Sequence, residues 1–132
     1  MATNLEGLNH LTKRTAHFIF DVTKDGGTAG TYAIGAGQIP KNAMVVSGQM
    51  FVETAFVGGT SVSLGVIAAA DLSSAIVTAT LVINYAVALT PVIGTGTTWL
   101  KSTTASRGLI PVVVGTFTAG RLHVWLDYVV IA

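Results

Sequence analysis

The chain contains no cysteine and only three prolines in 132 residues, and charged side chains make up just 10% of it. Each scarcity excludes something. Without cysteine there is no disulfide framework and no thiolate metal site, and a cytosolic place of synthesis fits. The net charge is +1, and among the basic residues only Lys13 and Arg14 are adjacent. That leaves no basic stripe interleaved with aromatic platforms, so nucleic acid is not an expected partner. A long apolar helix is also missing. The nearest thing to a membrane span, Ala75–Gly94, is interrupted by Thr78, Thr80, Asn84, Thr90 and Pro91 and has no basic flank. No membrane partner is expected. The opening Met1-Ala2-Thr3-Asn4-Leu5-Glu6 lacks the basic and apolar regions of a signal peptide.

Catalytic patterns are absent too. No serine stands in a Gly-x-Ser-x-Gly arrangement, the six acids are scattered singly, and Gly94-Thr95-Gly96-Thr97-Thr98 lacks the lysine of a phosphate loop. Three histidines, His10, His17 and His123, could join Asp127 at a metal. On one strand His123 and Asp127 would lie ~13 Å apart, too far for one ion without a third element folding over. The expectation is therefore no catalytic residue, no cofactor and no metal, with the histidines solvated or at an interface.

What the chain does have is apolar and β-branched. Hydrophobic residues are 51% of it, there are 15 glycines, and valine, isoleucine and threonine number 44. These side chains suit a pleated sheet. So few charges leave too little polar cover for a free monomer, and self-association as a trimer or dimer is expected.

The strongest stretch is the last. After a turn signal at Ala119-Gly120, Leu122, Val124, Leu126, Tyr128 and Val130 alternate with Arg121, His123, Trp125, Asp127 and Val129. A period of two predicts a strand with one buried and one mixed face, Arg121 being merely solvated. Upstream, Phe18, Phe20 and Val22 mark a first strand, Lys24–Gly30 a turn, and Thr31–Ile34 a short strand. Pro40 to Asn42 makes another turn. The run Met44–Val57, bent near Ser47-Gly48, is expected to form an antiparallel hairpin with Ser61–Val66 across Gly58-Gly59. A helical turn is expected within Ala68–Ser74, two strands with a break near Asn84 over Ala75–Leu89, and a strand over Leu109–Phe117. Eight or nine short strands with glycine-rich turns predict an all-β protein, an antiparallel β-sandwich of jelly-roll-like form over residues 15–132.

Residues 1–14 differ in character. Leu5, Leu8 and Leu11 recur every third residue, followed by Lys13 and Arg14. They suit an N-terminal arm that orders against a partner, the alternative being a frayed end.

The segments Ile39-Pro40-Lys41-Asn42-Ala43-Met44-Val45-Val46, Phe56-Val57-Gly58-Gly59 and Ser63-Leu64-Gly65, with the ending from Thr118 to Val129, resemble small head-associated structural proteins of tailed bacteriophages. The resemblance covers about half the chain. It implies a β-sandwich that self-associates and coats or cements an assembled capsid, with the phage major capsid protein as partner and no reaction. The protein would be made in the host cytoplasm and reside on the capsid surface of the virion. A tail or fibre component is the alternative within the virion. A carbohydrate-binding sandwich, with Trp99, Trp125 and Tyr128 as sugar platforms, is the alternative outside it.

Overall fold

A computed structural model describes residues 13–67, 70–89 and 105–130, with the backbone of 101–102. Among these described residues ten strands and one helical turn follow in order: β1 (Arg14–Asp21), α1 (Val22–Asp25), β2 (Gly30–Thr31), β3 (Ile34–Ile39), β4 (Ala43–Gly58), β5 (Ser61–Gly65), β6 (Ser73–Val77), β7 (Ala86–Leu89), β8 (Lys101–Ser102), β9 (Arg107–Val114) and β10 (Phe117–Val130). They build two antiparallel sheets. The first runs β1-β10-β4-β7, with β8 also on β4; the second runs β2-β9-β5-β6, with β3 also on β9. The chain crosses repeatedly from one sheet to the other, and the fold is the antiparallel sandwich that the alternation predicts.

The last strand is central, as its strength requires. β10 lies between β1 and β4. Leu122, Val124 and Leu126 are sealed from solvent, Tyr128 is buried beside them, and Val130 packs against the core. Each such burial contributes roughly 1.5–3 kcal/mol. From the same sheet Ala16, Phe18, Phe20, Met50 and Val52 point inward, and from the other Val62, Leu64, Leu109 and Val113 close the core. Asn42 and Asn84 have φ of 63° and 69°, so the turn after Pro40 and the break in the 75–89 region fall where asparagine tolerates the left-handed region. The bend expected near Ser47 is a bulge: Ser47 pairs with Asp127 and Val45 with Tyr128, which leaves Val46 over.

Three expectations are corrected. The Met44–Val57 and Ser61–Val66 segments are not a hairpin, because β4 belongs to the first sheet and β5 to the second. The donors of that turn go elsewhere: the Gly59 N–H donates to the Thr116 carbonyl at 2.6 Å and the Thr60 N–H to that of Val114 at 2.8 Å. The β4–β5 and β9–β10 connections thus clasp each other, and both are crossings between sheets. Gly58 has φ of 94°, and a Cβ there would sit 2.5 Å from the Thr116 carbonyl oxygen, so only glycine suits this position.

The Ala119-Gly120 turn is likewise absent. The chain turns at Gly115-Thr116, four residues earlier, and β10 begins at Phe117. Ala119 and Gly120 lie within an irregular part of β10, where Gly120 lets the Phe56 ring pack against the backbone. The helical turn is α1 rather than 68–74. Its described residues 70–72 form a bend, closed by Asp71 accepting from the Val66 and Ile67 N–H groups. Asp21 instead caps α1, accepting from the Thr23 N–H and hydroxyl. Ile39, extended as the residue before a proline should be, ends β3 and is fully buried.

Candidate functional site

The two outer faces of the sandwich differ in chemistry, and the contrast follows from strand register. On the first sheet the outward residues form rungs. Thr15 of β1 faces Asp127 of β10, which faces Ser47 of β4. The next rung is His17, Trp125, Gln49 and Ala88, and the one after it Ile19, His123, Phe51 and Ala86. Beyond these, Asp21 faces Arg121.

Hydrogen bonds tie this face together. Both carboxylate oxygens of Asp127 are engaged, by the Thr15 hydroxyl at 2.7 Å and the Ser47 hydroxyl at 2.9 Å. These bonds hold its pKa below the ordinary carboxylate value. His17 Nε2 lies 2.9 Å from His123 Nδ1, and His123 Nε2 lies 2.7 Å from Glu53 Oε1. An ionised carboxylate only accepts, so His123 carries its proton on Nε2, and its Nδ1 accepts from the Nε2–H of His17. Arg121 flanks the chain, with its guanidinium 3.5 Å from Glu53 and 4.0 Å from Asp21. The expectation of a merely solvated Arg121 is corrected: it bridges two acids, and its Nε is buried. The bond from His123 holds Glu53 below its ordinary pKa, and the Thr23 hydroxyl does the same for Asp21.

The imidazoles also stack. His17 and Trp125 are 4.8 Å apart and 6° from parallel, and His123 lies 5.1 Å from His17 and 5.5 Å from Trp125. Burial first, and then the charge of His123, lower the pKa of His17. Below the ordinary histidine value the unfolded chain therefore binds more protons at His17 than the folded one, so stability falls as pH falls. The His17 contribution is complete above the ordinary histidine value, about 6.5, and is lost as pH drops through the lower folded value. An NMR titration should place the His17 midpoint below that of an unfolded peptide, and a midpoint above it would contradict this geometry.

The second sheet presents a different surface. Leu109, Pro111 and Val113 of β9 point inward, so Ile110, Val112 and Val114 point out. Val114 pairs with Ser61, Val112 with Ser63 and Thr31, and Ser61 also with Val77. Val77 and Val114 are 53% and 49% exposed. These outward positions hold β-branched, serine and threonine side chains and no charge.

Of the residues singled out in sequence, Leu5, Leu8, Leu11, His10 and Trp99 lie outside the described residues. Lys13 is exposed just before β1, and Arg14 is its first residue, paired with Tyr128, so the strand begins one position into the expected arm. Trp125 stands on the outer face. Tyr128 is only 8% exposed and belongs to the core, so it is no sugar platform. Among the described residues no three histidines or acids come together to hold a metal, and no helix is long and apolar enough to cross a membrane.

No family model matches the chain, and no curated protein matches it by sequence. Solved structures do. A chain in the capsid asymmetric unit of cyanophage Pam1 superposes with a TM-score of 0.63 at 14% identity, covering 92% of this chain and 86% of that one. The fold is that of chains in phage capsids. A chain of the Ralstonia phage GP4 capsid gives a TM-score of 0.62 at 13% identity, with 92% and 86% covered. One from the acidic stable capsid of the Helicobacter pylori bacteriophage KHP30 gives 0.57 at 15%, with 89% and 87% covered. In each case the shared extent is nearly the whole chain, so the likeness of fold takes in both sheets of the sandwich.

Proposed function

We propose that this protein is a virion structural protein that self-associates and coats or cements a phage capsid. The observation that carries the reading is the charge-free outer face of the second sheet, set on a fold shared with phage capsid chains. Apolar β-branched side chains left open to water favour burial against a matching surface. A second copy of this chain is the occupant this face fits, because the face carries no charge that would call for an oppositely charged partner. The first sheet, with its acids and imidazoles, suits the solvent side of such an assembly. Attachment to the shell falls to the N-terminal arm, with Leu5, Leu8 and Leu11 as apolar anchors and Lys13 and Arg14 as charged ones.

Analytical ultracentrifugation at micromolar concentration tests the association. The wild type should sediment as a dimer or trimer. Val112→Asp, which puts a charge at the centre of the face, should yield monomers with an unchanged melting temperature. A wild type that stays monomeric, or a Val112→Asp variant that still associates, would overturn the assignment of this face. Deleting residues 2–12 tests the arm: folding and melting temperature should hold while attachment to capsids is lost.

A further inference from the structure

The first sheet carries a groove that capsid assembly does not account for. It has a volume of about 650 Å³ and is lined by Thr15, Ser47, Gly48, Gln49, Ala88, Trp125 and Asp127. A second hollow of about 350 Å³ continues it over β4 and β7, sharing Gln49, Ala88 and Trp125. This is within the size range of small-molecule sites, roughly 300–1,000 Å³.

The groove exists because its floor is small. Ala88 rises little above the sheet, and Gly48 adds only backbone to the lining, its Cβ direction pointing inward to Leu126. Trp125 supplies a wall. Its indole is held upright by the parallel ring of His17, which with His123 takes no part in the groove lining. The platform is thus braced before any ligand arrives, and less ordering is left to oppose binding.

The polar rim has a definite bias. The hydroxyl protons of Thr15 and Ser47 are both committed to Asp127. What these three residues still offer a ligand is lone pairs, on two hydroxyl oxygens and a carboxylate. Gln49 is exposed, and its carboxamide makes no hydrogen bond among the described residues, so it is available both to donate and to accept. A fitting ligand is therefore rich in O–H donors, carries no negative charge to oppose Asp127, and has a flat C–H face for the indole. A pyranose ring combines these properties.

We propose that this groove binds a neutral saccharide, one pyranose unit lying against Trp125 with its hydroxyls on Asp127, Thr15, Ser47 and Gln49. The site lies on the face opposite the charge-free one, so it does not depend on the self-association reading.

The test is a ¹H–¹⁵N titration of the full chain with lactose, maltotriose, mannobiose and diacetylchitobiose, following the two indole N–H signals, with Trp125→Phe to assign them. At least one sugar should shift the Trp125 signal saturably, with Kd on the order of 1 mM or tighter. Trp125→Ala and Gln49→Ala should each weaken binding about tenfold or more. Ala88→Trp, which fills the groove from an exposed position, should abolish it while the melting temperature holds. Binding should be indifferent to ionic strength. No saturable shift with any of the four sugars would overturn the proposal, as would a shift that persists in Ala88→Trp. Binding of lysine amide but no sugar, weakened by salt, would overturn it in favour of a cation site.

Discussion

Leu126→Ala lowers the unfolding free energy by about 2–5 kcal/mol, through lost transfer energy and the cavity left behind. Leu126 is fully buried and stands between Ala16 of β1 and Gly48 of β4. Its side chain fills the space that Gly48 leaves open, and its two cross-strand partners are too small to close the gap. Urea denaturation read by circular dichroism measures the loss. Arg121→Ala on the opposite face of the same strand should cost no more than about 1 kcal/mol, since its ion pairs are partly exposed. Equal losses at the two positions would mean that the buried face of β10 has been misassigned.

Gly58→Ala is expected to be nearly as severe, although it adds only one methyl group. A side chain at φ of 94° costs on the order of 1–3 kcal/mol. The clash with the Thr116 carbonyl adds to it, because that oxygen is the acceptor for Gly59. The damage should fall on both sheet crossings together. Hydrogen exchange would show this as joint loss of protection at the Gly59, Thr60 and Phe117 amides. If Gly58→Ala folds with wild-type stability, the clasp between the two crossings does not hold the sandwich closed.

The alternation in the last strand could be read directly, because one buried face imposes a period of two whatever the neighbours are. Tyr128 shares its parity with Leu122, Val124 and Leu126, so its burial was legible even though its ring suggested a sugar platform. The turn closed by Asn42 and the break near Asn84 were legible for a local reason as well, since asparagine tolerates the left-handed region found at both. The partner of a strand is a different matter. Gly58-Gly59 between two alternating runs reads the same for a hairpin as for a crossing. The choice is made by carbonyls at Val114 and Thr116, more than fifty residues away. The site suffers from the same limit. Trp125 and Asp127 declare themselves on the mixed face of one strand, but Thr15, Ser47 and Gln49 join them only through the register of β1 and β4. The His17–His123 bond, 106 residues apart in sequence, follows from that register alone.

The central claim is that the sandwich is part of a capsid, with its charge-free sheet covered and its polar sheet open. Electron cryo-microscopy of the intact phage particle tests it most directly. The claim predicts a sandwich repeated over the head with the symmetry of the shell, with Val77, Val112 and Val114 against a neighbouring copy, and Trp125, His17 and Asp127 facing solvent. A head without this protein, its presence only in the tail, or the Val112 face open to water would contradict the account.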